Sequence, residues 1–317
     1  MTGINLVSLI DQYNCDDKCR EALEKIRWPA GVCCVRCGDT TVDALRGRPV
    51  WQCRSCDHQF SVTAGTIMHR SHLPLRKWFL AIYLMCESKK GMSANQLRRT
   101  LGVQYKTAWY LCHRIREAMG NDPLAGPTLV GVVEVDETLI GGRTKGRDWM
   151  DNKTWVAGAI QRGGRVRIER IPNVRKQTLQ DFVKRNISDE ADAIYTDELR
   201  SYIGVETDAR RHETVRHSAE EWVVGEVHTN SVEGVWSLFK RSIVGTFHKM
   251  SVKHMDRYLE ELEWRFNNRD NPHIFRDTLA RIMHTDPLHY RELVDVDNRL
   301  PCLPAPAGPT VLPEANA

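Results

Sequence analysis

The chain has 317 residues, of which 41% are hydrophobic and 27% are charged. This composition is that of a folded globular protein, and the length corresponds to about two domains with a core that needs no disulfide bonds. A formal net charge of +4 does not by itself identify a binding partner. The sequence contains no apolar run that approaches the roughly 18 residues of a membrane-spanning helix, and its N-terminus lacks the pattern of a secretory signal. We therefore predict a cytoplasmic protein with no membrane partner.

Two pairs of cysteines dominate the first part of the chain. Cys34 and Cys37 form one CxxC pair, and Cys53 and Cys56 form a second pair after fifteen intervening residues. Four thiolates at this spacing satisfy the tetrahedral coordination of Zn²⁺ and leave no open position for catalysis. The pattern therefore predicts a structural zinc ion in a small zinc-ribbon domain, residues 1–72. Cys33 is an alternative to Cys34, which we prefer because it keeps the two-residue spacing.

The next segment, residues 73–122, has the spacing of helices and is rich in basic and aromatic residues. One helix is predicted from the capping Ser93 to Gly102, and a second from Lys106 to Met119, with a short turn between them. This arrangement is typical of a helix-turn-helix and places three candidate DNA contacts at the leading end of the second helix. These residues are Gln104, Lys106 and Thr107. An ordinary helical hairpin is the alternative, and the adjacent zinc ribbon favours DNA binding.

A short linker, residues 123–127, precedes a zone of alternating strands and helices at residues 128–276. Strands are predicted from β-branched runs, and helices from apolar residues three to four positions apart. Three strands, a crossover helix, a fourth strand and a later helix predict an α/β layered domain. The predicted strands are 129–136, 154–160, 165–171 and 191–197, and the predicted helices are 177–186 and 230–241. The proline-rich last stretch, residues 301–317, predicts a disordered tail.

Three acidic residues lie at corresponding places in these predicted elements. Asp136 and Asp197 each end a strand, and Glu233 lies near the start of the later helix. If the first and fourth strands are neighbours, these carboxylates converge, and such oxygen ligands suit Mg²⁺ or Mn²⁺. Two such ions can activate a water or a 3′-hydroxyl and stabilise the leaving oxygen in phosphoryl transfer. Lys240, seven residues after Glu233, lies on nearly the same helix face and can hold a DNA phosphate.

Other charged residues near these acids receive more modest interpretations. Strand alternation points Glu137 and Glu198 away from the face of the aspartates that precede them. Glu134 shares the face of Asp136, and we interpret it as a solvated or supporting acid. His228 is interpreted as a structural hydrogen-bonding residue. Three basic residues after the first acidic strand are candidate contacts to the DNA backbone, namely Lys145, Arg147 and Lys153.

Together with the cysteine pairs, the acidic motifs make the sequence resemble a known family. It is similar to the bacterial insertion-sequence transposases of the ISXO-like group, which have an N-terminal zinc ribbon and a DDE catalytic domain of RNase-H-like fold. The resemblance covers about residues 15–276. It rests on the four cysteines and on these motifs: Val133-Glu-Val-Asp136-Glu-Thr with Gly141-Gly142, Tyr195-Thr-Asp197, His228-Thr-Asn230-Ser-Val-Glu233-Gly-Val-Trp236-Ser-Leu-Phe-Lys240-Arg241, and a closing helix at 257–269.

The resemblance implies a fold, an activity and partners for this chain. The fold is an RNase-H-like mixed sheet with flanking helices, preceded by the zinc ribbon and the helix-turn-helix-like segment. The activity is cleavage and strand transfer at the terminal inverted repeats of a mobile element, by Asp136, Asp197 and Glu233 with two Mg²⁺ or Mn²⁺ ions. The partners are double-stranded DNA, at the element ends and the target, and further copies of the chain in a homodimer or larger assembly on DNA. Lys240 and Arg241 contact DNA in this interpretation, and the protein is bacterial and nucleoid-associated.

The resemblance leaves the third acidic ligand open. Some members of the group have asparagine in the third place, followed by a lysine, so Asn230, about one helical turn before Glu233, is an alternative ligand. The 35 residues between Asp197 and Glu233, together with Lys240, favour Glu233. Two alternative functions also stay open, namely a catalytically silent DNA-binding regulator and a structure-selective nuclease of RNase-H type.

Overall fold

The computed structural model describes residues 3–120, 129–141, 153–207, 210–215, 223 and 225–295. The predicted linker and the predicted disordered tail lie outside these described residues, as do Lys145 and Arg147. Within the described ranges, no helix is both long enough and apolar enough to cross a membrane.

Helices and a small sheet make up the N-terminal part of the chain. The helices are α1 (Leu6–Gln12), α2 (Asp16–Arg27), α3 (Leu75–Glu87), α4 (Ala94–Leu101) and α5 (Tyr105–Gly120). The sheet has three antiparallel strands in the order β1 (Val42–Ala44), β2 (Trp51–Cys53) and β3 (Gln59–Phe60). As predicted, Ser93 caps α4, since its hydroxyl accepts a hydrogen bond from the backbone N–H of Gln96 at 3.2 Å. Gly102 ends the helix with a φ of +61°, which a residue without Cβ adopts readily.

The C-terminal part is built on a second, larger sheet. Its strands are β4 (Val132–Gly141), β5 (Lys153–Gln161), β6 (Val166–Ile171), β7 (Ala193–Thr196) and β8 (Arg211–Thr214). They form one sheet in the order β6-β5-β4-β7-β8, in which β7 is parallel to β4 and to β8 and the other neighbours are antiparallel. The helices are α6 (Lys176–Asn186), α7 (Asn230–Ser242), α8 (Met255–Asn267), α9 (Ile274–His284) and α10 (Tyr290–Val294). This arrangement confirms the predicted α/β fold class, with a mixed sheet and flanking helices.

Side-chain alternation gives the larger sheet two apolar faces. Val133 and Val135 of β4 belong to a buried cluster with α6 on one face. Ile140 of the same strand belongs to a second cluster, with α7 and α8 on the other face. Glu134 and Asp136 alternate with the two valines, so they share the face that α7 covers.

One hydrophobic core joins the ribbon to the helices around it. α3 is an almost continuous apolar run because it is buried on most sides, with Trp78 and Phe79 enclosed. The same core includes Phe60 of β3, and Phe275 and Leu293 from α9 and α10. α9 and α10 therefore pack against the N-terminal part of the protein.

Two details of the predicted strands are wrong. The strand expected to end at Asp136 continues to Gly141, because β4 and β5 form a ladder of nine antiparallel pairs. Asp136 therefore lies in the middle of its strand. β8 was not predicted, since its four residues are mostly polar and it pairs only at the edge of the sheet. Arg210, which directly precedes β8, is buried and donates a hydrogen bond to the carbonyl of Val205 at 2.7 Å.

Candidate functional site

The four predicted zinc ligands come together in the ribbon. The sulfur atoms of Cys34, Cys37, Cys53 and Cys56 all lie within 4.8 Å of one another, and we call this group the thiolate cluster. The Cys34–Cys56 and Cys37–Cys53 sulfur distances are both 3.6 Å. Cys33, the alternative ligand, does not belong to the group.

The first cysteine pair is shaped by its own backbone. The N–H of Gly38 donates to the carbonyl of Cys34 at 2.9 Å, and the φ of Gly38 is +78°, a conformation that glycine adopts without a steric penalty. Desolvation opposes ionisation of Cys34, but backbone N–H groups of Cys37 and Arg36 outweigh it and lower the pKa of this thiol to about 6. Four cysteine sulfurs gathered at this separation fit structural Zn²⁺.

A parallel strand pair brings the two predicted aspartates together. Glu134 of β4 lies opposite Tyr195 of β7, so the same register places Asp136 beside Asp197, two residues further along the chain. Asp197 directly follows β7, and its Oδ1 accepts a hydrogen bond from the backbone N–H of Leu199 at 3.0 Å. Because neighbouring strands are about 4.8 Å apart, these two carboxylates lie close together. They lie at the edge of the sheet that is formed by the carboxyl end of β7.

Trp236 of α7 holds the first of these aspartates. Its indole Nε1 donates to Oδ2 of Asp136 at 2.9 Å. The indole ring lies against Gly158, the residue of β5 that pairs with Asp136, and a Cβ at position 158 would lie 2.6 Å from the ring. Trp236 occurs in one of the motifs described above, but its hydrogen bond to Asp136 was not predicted. A glycine inside a strand signals close approach of another group, and Gly158 was the available clue.

Burial and neighbouring carboxylates raise the pKa of Asp136 and of Glu137. Burial raises the pKa of Asp136 to about 6, and the negative charges of Asp197 and Glu233 add to the shift. Burial also raises the pKa of Glu137 to about 7, with Asp197 and Asp136 contributing in the same direction. We call Asp136, Glu137, Asp197 and Glu233 the acidic edge. Such a group of mutually repelling, partly desolvated carboxylates fits a divalent cation, whose charge removes the repulsion.

Glu137 lies on the opposite face of the strand from Asp136, as alternation predicts. Its Oε2 accepts a hydrogen bond from the hydroxyl of Tyr202 at 2.6 Å, and Tyr202 is fully buried in the cluster that contains α6. The negative charges of Asp197 and Asp136 nevertheless act on Glu137 and raise its pKa. The side chain is therefore a neighbour of the aspartates rather than a distant surface acid.

The exposed face of α7 carries the remaining predicted residues of this site. Asn230, Glu233, Lys240 and Arg241 are all exposed, while the opposite face of the helix packs on the sheet. Oε1 of Glu233 accepts a hydrogen bond from the hydroxyl of Thr229 at 3.2 Å. Within the described ranges, the thiolate cluster is the one group of three or more ligand atoms that lie within 4.8 Å of one another. The acidic edge is thus more widely spaced than a closed metal site.

Glu134 is not a solvated acid. Its side chain is fully buried beneath the start of α7, where it accepts hydrogen bonds from the backbone N–H and the hydroxyl of Ser231. The alternative interpretation, that Glu134 is a supporting acid, agrees with this position. His228, expected to be a structural residue, lies beside it with Nδ1 3.2 Å from the carboxylate.

The helix-turn-helix candidates lie at the exposed beginning of α5. Gln104, Lys106 and Thr107 are exposed, whereas most of the helix from Ala108 onward is buried in the N-terminal core. The ammonium of Lys106 lies 4.4 Å from the centre of the Tyr290 ring, a cation–π contact with α10. Only this leading end of α5 is open to a ligand such as DNA.

Two family models match the chain. Residues 128–267 match the ISXO2-like transposase domain, which spans the larger sheet together with α6, α7 and α8. Residues 14–59 match the transposase zinc-ribbon domain, which contains the thiolate cluster.

Two similar proteins also have names that refer to transposition. A protein of Halobacterium salinarum, described as an uncharacterized protein in transposable element ISH50, is 31% identical over 241 residues, which are 69% of this chain and 80% of the relative. A protein of Haemophilus influenzae, described as an uncharacterized transposase-like protein, is 29% identical over 100 residues, which are 32% of this chain and 79% of the relative.

Proposed function

Since the chain belongs to the ISXO2-like transposase family, we propose that it binds the terminal inverted repeats of an insertion sequence and catalyses DNA cleavage and strand transfer. The observation that carries this proposal is the register that sets Asp136 beside Asp197, beneath the helix that bears Glu233. Acids from three elements that are distant in sequence meet at one edge, which a protein that only binds DNA does not require.

We assign the metal ligands of this reaction to three members of the acidic edge. Asp136, Asp197 and Glu233 would hold two Mg²⁺ or Mn²⁺ ions, which activate a water or 3′-hydroxyl and neutralise the leaving oxygen when bound. Trp236 donates to Oδ2 of Asp136 and so leaves Oδ1 for a cation. Asn230 is the alternative third ligand, because it lies on the same exposed part of α7.

DNA contacts in this proposal come from three places. Lys240 and Arg241 extend the exposed face of α7, about 10 Å beyond Glu233 along the helix, where they can hold the backbone of the reacting strand. The leading end of α5 and the zinc ribbon would bind the inverted repeat. Because two element ends must meet in one reaction, we propose a homodimer or larger assembly on DNA.

The test is a strand-transfer assay with the purified protein, Mg²⁺ and DNA that carries the flanking terminal repeats. Asp136→Ala should lower product formation by about a thousand-fold, because metal ions contribute several kcal/mol of transition-state stabilisation. Repeat binding by the variant, measured by gel shift, should be unchanged. Glu190→Ala, which removes an exposed acid before β7, is the matched control and should keep full activity.

Two further variants decide the third ligand. Loss of products with Glu233→Ala alone assigns this role to Glu233, whereas loss with Asn230→Ala alone assigns it to Asn230. Loss with both variants places both side chains at the metals.

Other outcomes with the wild-type protein would overturn the proposal. Tight repeat-specific binding without any Mg²⁺-dependent product would support a silent DNA-binding regulator. Cleavage of RNA–DNA hybrids or branched DNA without end specificity would support a nuclease.

A further inference from the structure

A buried polar group lies directly behind the acidic edge, centred on the carboxylate of Glu134. Oε1 of Glu134 accepts from the guanidinium Nε of Arg162 at 2.8 Å and from the hydroxyl of Ser231 at 2.9 Å. Oε2 accepts from the backbone N–H groups of Ser231 at 2.7 Å and Val232 at 3.2 Å. The side chain of Glu134 has no exposed surface. All of its interactions are therefore made with the protein.

These hydrogen bonds replace the usual cap of α7. Thr229, the residue before the helix, makes no side-chain capping hydrogen bond, so the first N–H groups of α7 need another acceptor. Glu134 supplies that acceptor from β4, and its negative charge also interacts favourably with the positive end of the helix dipole. The start of α7 is consequently held on the sheet by one carboxylate.

Arg162 extends this group to the third element of the site. Its guanidinium donates to the carbonyl of His228 at 3.2 Å, and its centre lies 4.8 Å from the ring of Tyr195 on β7. Glu134 and Tyr195 are themselves paired across β4 and β7. The group therefore contacts both strands and the helix that carry the acids.

The positions of these contacts correspond to the positions of the acids. Glu134 precedes Asp136 by two residues, Tyr195 precedes Asp197 by two residues, and Ser231 precedes Glu233 by two residues. A displacement of α7 at Ser231 is thus transmitted directly to Glu233, only two residues further along the same helix.

We propose that Glu134 is a positioning residue of the acidic edge, which sets the separation between the two aspartates and Glu233 through Ser231, Val232 and Arg162. The part of this inference that concerns strand transfer rests on the proposed function. The part that concerns the binding of a divalent cation by the acids does not.

The first test variant is Glu134→Gln. The glutamine has nearly the same shape, but it turns an NH₂ group toward donors that need an acceptor, so the first turn of α7 loses its anchor. We expect Mn²⁺ binding to the metal-free acidic edge, measured by calorimetry, to weaken about ten-fold or more, as for other residues that orient metal ligands. Amide hydrogen exchange at Ser231 and Val232 should rise, while the zinc content stays the same.

The matched control is a substitution of a fully buried glutamate at a different place in the protein. Glu261 of α8 is fully buried and is bound to Arg116 at 2.6 Å and Arg265 at 3.3 Å, at the contact between α5 and α8. Glu261→Gln should lower the melting temperature as Glu134→Gln does, because both variants remove the charge of a buried carboxylate that is paired with an arginine. Glu261→Gln should leave Mn²⁺ binding unchanged. If Glu134 had only a structural role, Glu134→Gln would leave Mn²⁺ binding unchanged as well.

Ser231→Ala is the second test variant, in case Glu134→Gln does not fold. It removes one hydroxyl donor and keeps both backbone donors, so we expect a smaller loss of Mn²⁺ affinity, about three-fold. Unchanged Mn²⁺ affinity in a folded Glu134→Gln protein, or in Ser231→Ala if the first variant does not fold, overturns the proposal. A third outcome separates the two proposals. If the wild-type protein shows no strand transfer but the variants bind Mn²⁺ more weakly than it does, the positioning role is supported and the proposed function is overturned.

Discussion

The thiolate cluster takes its four sulfurs from two short segments of the ribbon, whereas the acidic edge takes its carboxylates from two strands and a helix that are distant in sequence. The cysteine sulfurs lie within 4.8 Å of one another, while the acids keep a wider spacing. A closed set of four ligands leaves no position for a substrate, but an open set of carboxylates does. This difference is the one that we expect between a structural zinc site and the proposed catalytic site.

The two regions also differ in what stabilises them. In the ribbon, short strands of two or three residues have little hydrogen bonding of their own, so we expect a bound ion to stabilise the turns. At the acidic edge, the surrounding sheet and α7 hold the carboxylates near one another against their repulsion. Loss of a cysteine should therefore destabilise the ribbon. Loss of one carboxylate should instead relieve the charge repulsion at the acidic edge.

The largest effect is expected from Cys34→Ser. This variant should lose its zinc, and the free energy of unfolding should fall by about 4 kcal/mol or more, because loss of a structural metal belongs to the most severe class of substitutions. Zinc content by atomic emission and thermal melting by circular dichroism measure both effects. Cys33→Ser is the matched control, since Cys33 lies next in sequence but outside the thiolate cluster. Full zinc content in Cys34→Ser would contradict the assignment.

Gly158→Ala should disturb the acidic edge from behind. The new methyl would lie 2.6 Å from the indole ring of Trp236, so α7 must shift, at a cost of about 2 kcal/mol. Urea unfolding measures this cost, and the tryptophan emission should shift as the hydrogen bond to Asp136 is lost. Gly234→Ala is the control on the exposed face of α7, where a methyl meets no atom within 4 Å. It should stabilise the protein by about 0.5–1 kcal/mol, and an equal loss in both variants would refute the steric argument.

Asp136→Asn should stabilise the protein when no divalent cation is present. The substitution removes a buried negative charge beside Asp197 and Glu233, and the new amide oxygen can still accept from Trp236. We expect the free energy of unfolding at about pH 8 to increase by about 1–2 kcal/mol, with activity lost. Addition of Mn²⁺ should stabilise the wild-type protein but not this variant. A destabilised Asp136→Asn protein would show that the acidic edge carries no electrostatic cost.

Glu260→Gln tests whether a raised carboxyl pKa by itself marks a functional site. Burial, with the charge of Glu117 as the next cause, raises the pKa of Glu260 on α8 to about 8 from 4.5. The folded state therefore holds this proton more tightly than the unfolded state does, and stability falls as the pH rises from about 4.5 to 8. The variant should be about 1–2 kcal/mol more stable than wild type at about pH 9 and equal to it at about pH 4.

The strand-transfer activity of this variant provides the contrast with the acidic edge. Glu260 packs against Gly120 at the end of α5, so its raised pKa reflects burial between helices. The strand-transfer activity of Glu260→Gln should equal that of the wild-type protein at every pH at which both proteins are folded. A loss of strand transfer would place Glu260 in the site and would contradict the distinction between the two regions.

Much of the local structure followed from the sequence. The Ser93 cap and the Gly102 end of α4 depend on residues within a single helix, and the predicted helix at 230–241 differs from α7 by one residue. The partners of the acids did not follow in this way. Pairing in the ladder with β5 extended β4 beyond Asp136, and the polar composition of β8 concealed an edge strand.

By itself, the sequence determined the spacing of the cysteines, the presence of most strands and helices of the larger sheet, and the exposed face of α7. Each of these depends on residues within one turn or one element. Only the tertiary structure decided that Asp136 lies beside Asp197 and that Trp236 and Glu134 support the site from behind. These contacts depend on the register of β4 with β7 and on the close seating of α7 over Gly158. Register and seating are set by packing between segments that are distant in the chain, so no local pattern encodes them.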